Sequence, residues 1–269
     1  MNSTPTSSPT PQGRPLPFEL IAYTLIAILT AGAFSFQPIP QSQSYHLFAD
    51  DHGLWGIPNA LNVLSNAAFL VVGVYGLLRR PRFSLGSDVL LGLVTFLVGL
   101  TLVCAGSAYY HWSPSDDTLL WDRLPMSISF LGVSFSLIAA QARLRVALLL
   151  YFVLEGAGVA ATLYSNFAND IRFYAMCQVL PLVLTLISAA RLWPTPSLRP
   201  RAKELLLGFG SYGLAKVVEH FDREVFALTA EVVSGHTLKH VLAAVGAFFV
   251  LRFFLYLKPA EVQMGAGRA

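Results

Sequence analysis

The sequence predicts an all-α membrane protein: a seven-transmembrane-helix core bundle plus one extra N-terminal transmembrane helix. Three observations carry this expectation. Of 269 residues, 55% are hydrophobic and only 12% are charged, against about 25% charged in a soluble domain. Mean hydropathy is +0.59, more apolar surface than a soluble fold could hide. Eight stretches approach the roughly 20 apolar residues that a bilayer crossing needs. Basic residues also gather in alternate loops, the pattern expected when short cytoplasmic loops collect lysine and arginine. The formal charge of +3 is too small to suggest a nucleic-acid partner, and no basic aromatic patch supports one.

Taken in order, residues 1–15 are rich in Ser, Thr and Pro and read as a disordered N-terminus. The stretch 16–36 is the extra span, a transmembrane helix or signal anchor. Ala31-Gly32-Ala33 resembles a small-residue cleavage site, so a cleavable signal peptide is the alternative, although the apolar run is long for one. The loop 37–58 carries His46, Asp50, Asp51 and His52. Core spans follow near 59–78, 88–110, 119–141, 146–164, 171–190, 204–221 and 234–257. The sixth of these is glycine-rich and carries Lys216 and Glu219, which makes it the most polar. Together 50–257 form the core domain, and 258–269 read as a loose tail. Cys104 and Cys177 both fall inside apolar spans and read as small core residues, because two cysteines make no disulfide framework.

Orientation follows from the loops. Arg79, Arg80 and Arg82, then Arg143 and Arg145, then Arg191, Arg199, Arg201 and Lys203, and finally Arg252, Lys258 and Arg268 fall on one side if the spans alternate. That side, with both termini, is expected to be cytoplasmic. The opposite loops hold Asp50, Asp51, Asp116, Asp117 and Asp170. Short loops and small size suggest a bacterial inner membrane, with this second side facing the periplasm.

On this map several ionisable groups meet at one depth. The span 88–110 ends at His111, the next begins with Asp122 in its first turns, and the last begins with His236 and His240. Such groups at membrane depth are costly and usually functional. His236 and His240 are four apart and share a helix face, the usual way for one helix to give a metal two ligands. Three imidazoles with an open fourth position are how proteins hold catalytic zinc, with Zn–N bonds of about 2.0–2.1 Å. Ser107 lies four residues before His111 and points the same way. Asp122 is placed to bond a metal-bound water or a ligand imidazole.

Blander readings compete. A single histidine at a span end is more often interfacial, and a His-x-x-x-His pair also suits haem or a structural role. Haem wants axial histidines on opposing helices at matched depth, and no span pair offers two such sets. Glu155, near the middle of its span, either pairs with Lys216 or stays protonated. Asp222, beside Glu219 and His220, is a candidate partner for a ligand histidine. Tyr109, Tyr110, Trp112 and Trp121 read as an aromatic belt. Pro125 suggests a kink with a freed carbonyl near the site, and Gly156-Ala157-Gly158 a place of close helix packing.

Four runs raise the prior for chemistry: Asn62-Val63-Leu64-Ser65-Asn66, Gly106-Ser107-Ala108-Tyr109-Tyr110-His111, Trp121-Asp122-Arg123-Leu124-Pro125-Met126 and Ser234-Gly235-His236-Thr237-Leu238-Lys239-His240. In this order, over about residues 50–257, they resemble the signature motifs of the alkaline ceramidases. Those belong to a superfamily of seven-helix membrane hydrolases that includes the adiponectin-type receptors. The resemblance implies zinc held by His111, His236 and His240. It also implies Ser107 and Asp122 at the zinc water or the developing oxyanion, and a membrane lipid substrate, an N-acyl lipid such as ceramide. Zinc lowers the pKa of a bound water to about 7; Asp122 would act as general base and then acid. The departures are Arg123 where the family usually has an acidic residue, and Lys239 where it often has tryptophan. The eukaryotic members' acidic calcium site aligns here with Asp50, Asp51, Trp55 and Asn59. Asn59 stands where a glutamate is expected, which speaks against calcium. The remaining alternative is a non-enzymatic seven-helix receptor or sensor with a structural zinc. Ser107 and Asp122 favour the enzyme, because a structural site tends to be closed by a fourth protein ligand.

Overall fold

The computed structural model describes residues 16–80, 84–142 and 144–258. The expected disordered terminus 1–15, the tail after Lys258, and Arg82, Arg143 and Arg268 of the charge pattern lie outside the described residues. Among those described, the regular elements are helical: α1 (Phe18–Ser35), α2 (Ala60–Leu64), α3 (Ala67–Leu78), α4 (Ser87–Trp112), α5 (Asp116–Gln141), α6 (Ala147–Phe167), α7 (Arg172–Leu192), α8 (Arg199–His220), α9 (Asp222–Leu228) and α10 (Gly235–Tyr256). Seven spans among the described residues are long and apolar enough to cross a membrane, α2 and α3 counting as one. The chain is an all-α membrane protein. The predicted span at 204–221 is present as α8, which is long enough but more polar, with Arg201, Lys203 and Glu204 near one end and Lys216 and Glu219 near the other.

Helix starts obey local chemistry. Ser115 caps α5 by accepting the Thr118 amide, while the Thr118 hydroxyl accepts the Ser115 amide, so two otherwise orphaned donors are satisfied. Ser234 caps α10 by accepting the Thr237 amide at 3.0 Å. The expected single span 59–78 is divided at Ser65 and Asn66. There the Asn66 amide side chain donates to the Asn62 carbonyl at 2.8 Å and the Ser65 hydroxyl to the same carbonyl at 3.2 Å. Side chains that compete for backbone carbonyls interrupt the helix.

Helices α3, α4, α5, α7, α8 and α10 pack in a closed ring, each against the next. Helix α6 lies outside it against α5 and α7, and α1 lies against α7. The α4–α5 contact is the tightest. Gly92, Gly99 and Gly106, seven residues apart on α4, each face α5 so closely that a Cβ would fall within 2.0–2.7 Å of backbone or neighbouring atoms. At Gly106 the obstacle is the Trp121 carbonyl at 2.0 Å. Proline at position 125 has no N–H to bind that carbonyl within α5. Small residues let membrane helices approach in this way. Gly106→Ala is expected to destabilise the protein by about 1–3 kcal/mol through overpacking. Thermal unfolding in detergent checks this, with Gly156→Ala as control, because nothing lies within 4 Å of a Cβ there. Of the predicted packing run 156–158, only Gly158 packs closely, against Leu131.

One end of the bundle gathers the α4–α5 and α6–α7 turns, the α8–α10 connection and the linker after α1. The linker is strapped down. The Gln41 amide donates to the Asn169 side chain at 2.8 Å and the Ile171 amide to the Ile39 carbonyl at 2.9 Å. Arg172 pairs with Asp170 at 2.6 Å and reaches the Ala33 carbonyl at 2.9 Å. The Arg172 hydrogen bonds hold the Asp170 carboxyl below the usual carboxylate range.

Candidate metal centre

His111 ends α4, while His236 and His240 share one face of the first two turns of α10. All three are buried, at 1%, 5% and 3% exposure. Their donor atoms lie within 4.8 Å of one another, and the Nε2 atoms of His111 and His236 are 3.3 Å apart. Two ligands on a tetrahedral ion with bonds of about 2.0–2.1 Å sit roughly 3.3 Å apart, so this pair has the spacing of one coordination edge. Three buried imidazoles this close together could hold a metal ion.

The rings are held by neighbours. The Ser65 oxygen lies 2.7 Å from His240 Nδ1. With its own proton directed to the Asn62 carbonyl, Ser65 can accept from Nδ1–H, the tautomer that leaves the His240 Nε2 lone pair for an ion. Asn62 in turn accepts from the Ser234 and Thr237 hydroxyls at 3.3 and 2.8 Å. This ties the α2–α3 break to the start of α10. Phe48 from the linker packs on His111 and His236, with ring centroids 4.8 and 4.6 Å away. Asn59, at φ 45°, donates to the His111 carbonyl at 2.8 Å; asparagine tolerates that left-handed backbone. His111 Nδ1 is buried without a hydrogen-bonding partner among the described residues. Ser65→Ala is expected to weaken metal affinity about 10–100-fold, the usual effect of losing a ligand's hydrogen-bonding partner. A competition titration with a coloured chelator measures it.

Ser107 and Asp122 are buried beside the histidines, and the Ser107 hydroxyl interacts with the Asp122 carboxyl group. Both line a cavity together with His240. Every helix of the ring contributes to its wall: Phe69, Phe96, Met126, Pro181, Phe209 and Val250 among others. From Lys239 to Val250 the lining of α10 extends over eleven residue steps, roughly 16 Å at 1.5 Å rise per residue. The charged groups sit at the metal end, and the rest of the wall is mainly apolar, with Ser129, Gln178 and Thr185 as its polar members.

Several expectations need correction. Tyr110 belongs to no aromatic belt: it is buried, and its hydroxyl lies 2.9 Å from His46 Nδ1. Tyr109, Trp112 and Trp121 are exposed as expected. Lys216 pairs with Glu219, not with Glu155, one of whose carboxyl oxygens is buried without a partner among the described residues. Asp222 bonds no ligand ring. It accepts the backbone amides of His236 and Ala49 at 2.6 and 2.8 Å, and so fixes the start of α10 against the linker. Ser65 and Asn62 were visible as part of a run but not as the partners of His240 and α10. Phe48, Tyr45 and the Lys239–Glu219 pair carried no signal at all.

A family model described as ceramidase matches residues 56–266, more than half of the chain. That span contains the three histidines, Ser107, Asp122 and the whole helical ring, and leaves out α1 and most of the linker. No curated protein matches the chain.

Proposed function

Since this chain belongs to the ceramidase family, we propose that it hydrolyses the amide bond of an N-acyl membrane lipid, ceramide-like, at a zinc ion held by His111, His236 and His240. The observation that carries this reading is a cluster of three buried imidazoles, one of which, His240, lines a long and mainly apolar cavity together with Ser107 and Asp122. Zinc in that position would polarise the amide carbonyl and make a bound water acidic near neutral pH. The chain supplies the rest. Asp122 takes a proton from the water and delivers it to the departing amine nitrogen, as base and then acid. Ser107 donates its hydroxyl hydrogen to the carbonyl oxygen as negative charge builds there. The carbonyl carbon gains the water oxygen as the C–N bond breaks, giving a fatty acid and a free amine.

Much of the cavity wall inside the ring of six helices is apolar, so the acyl chain stays in an apolar setting while its carbonyl meets the polar groups. The gathering of basic residues in alternate loops supports an orientation with this end away from the cytoplasm, on the periplasmic side of a bacterial inner membrane, and with both termini cytoplasmic. The test is incubation of the purified, zinc-loaded protein in lipid nanodiscs with a panel of N-acyl lipids. Fatty acid is released, and a chelator stops the release. No release from any N-acyl lipid by metal-loaded protein would overturn the proposal and leave the receptor reading with a structural metal.

A further inference from the structure

Beyond the metal end the cavity wall carries no charge, yet α7 presents polar groups to it. Thr185 lines the cavity and is 5% exposed, and its hydroxyl makes no hydrogen bond among the described residues. A threonine in a membrane helix ordinarily returns its hydroxyl to the carbonyl four residues back. Thr95, Thr101 and Thr162 do so here, at 3.1, 3.0 and 2.9 Å; Thr185 does not. Seven residues earlier on the same helix face, Gln178 also lines the cavity. Its Oε1 accepts the Tyr212 hydroxyl of α8 at 3.2 Å, while its amide nitrogen has no partner among the described residues. A bond between two membrane helices can serve packing alone. It leaves most of the amide's hydrogen-bonding capacity unused, however, and it does not account for Thr185. Polar groups left open at this depth call for a partner.

We propose that this strip of α7 receives a neutral hydroxyl carried on the lipid's acyl chain, well away from the amide. The proposal rests on the reading of this cavity as the lipid site. The depth follows from the wall. Asp122, Met126 and Phe130 descend α5 one turn at a time; the Tyr174 hydroxyl lies 3.6 Å from Met126 Sδ, and the Phe130 and Tyr212 ring centroids are 6.1 Å apart. The Gln178–Tyr212 pair is therefore two turns further in than Asp122, roughly 12 Å at 1.5 Å per residue. An extended chain advances about 1.2 Å per bond, since three backbone bonds span roughly 3.3–3.6 Å, so a chain carbon about ten bonds from the amide meets Gln178. Thr185 lies seven residues further along α7, roughly 10 Å, toward the chain's end. A chain hydroxyl has no partner in bilayer hydrocarbon, so a hydrogen bond here favours the bound lipid. A carboxylate would be stranded, because no charged side chain lines this stretch. Gln178 and Thr185 act as specificity residues and take no part in the proton transfers.

N-acylethanolamines, which have a single chain, test it: the palmitoyl lipid and its 2-hydroxy, 10-hydroxy and 16-hydroxy forms. Each is titrated against zinc-loaded full-length protein in phosphatidylcholine nanodiscs. Protection against thermal unfolding and fatty-acid release are both followed. The 10-hydroxy and 16-hydroxy lipids are expected to bind several-fold more tightly than the palmitoyl and 2-hydroxy lipids. Gln178→Leu removes the gain of the 10-hydroxy lipid and leaves that of the 16-hydroxy lipid; Thr185→Val does the opposite. The proposal is overturned if the plain palmitoyl lipid binds as tightly as both, or if their gains persist in the double variant. Hydroxyl-selective binding without any hydrolysis keeps this inference and sinks the enzyme reading. Hydrolysis without a hydroxyl preference does the reverse. Should Gln178→Leu fail to fold, Thr185→Val, which breaks no hydrogen bond among the described residues, decides together with the parent panel.

Discussion

Alanine in place of any one of His111, His236 or His240 is expected to strip the metal from the purified protein, from about one ion per chain to near none. Two imidazoles cannot close three sides of a tetrahedral site. The cluster holds no other ligand, since the group within 4.8 Å consists of the three histidines alone among the described residues. The helices should survive the change. Tight packing of α4 on α5 and of α8 on α10 does not pass through the imidazoles. At the start of α10 that packing includes Gly235, where a Cβ would meet the Val218 carbonyl at 2.0 Å. Metal analysis by mass spectrometry, paired with far-ultraviolet circular dichroism, reads both quantities. Metal kept at the parent stoichiometry in His236→Ala and His240→Ala would exclude this site.

Asp122→Asn is expected to lower fatty-acid release by about 10²–10⁴-fold, the range that a positioned general acid–base contributes, with metal content unchanged. The amide side chain preserves size and can still bond Ser107, so the change removes proton transfer and little else. Asp122 is one of two carboxylates that line the cavity. The other, Glu219, is engaged by Lys216 and Lys239 and so is poorly placed to substitute. Activity within a few-fold of the parent, at equal metal and equal thermal stability, would reduce Asp122 to a structural hydrogen bond. That is the bland role a buried aspartate near a helix start can always play.

How much of the site was legible follows from how each residue signals itself. His236 and His240 announce their shared face by spacing alone. His111 and Asp122 are placed at the same end by the alternation of spans, a counting argument that needs no packing detail. Pro125 announces a freed carbonyl, but its destination, the bare Cα of Gly106, requires knowing how α4 and α5 cross. The Asn62 to Asn66 run was seen as a motif without a role. Its part in breaking the helix and turning Ser65 toward His240 depends on a contact between residues 175 positions apart in sequence. Tyr110 departs from the expected belt because a tyrosine at a span end has the same sequence signature whether it faces headgroups or a buried histidine.

The amino-acid sequence by itself determined the positions and order of the spans and the end of the bundle where the histidines meet, though not the break of one span into α2 and α3. Crossing hydrocarbon demands internally satisfied backbone over a set length, and both are local properties. It could not determine which side of each helix faces its neighbours. Lipid tails are as apolar as leucine, so no hydrophobic face marks the inside. Helix rotation and close glycine contacts decided that six helices enclose the cavity while α1 and α6 stand outside. They decided equally that Phe48 caps the imidazoles and that Lys239 finds Glu219 across the gap between α10 and α8.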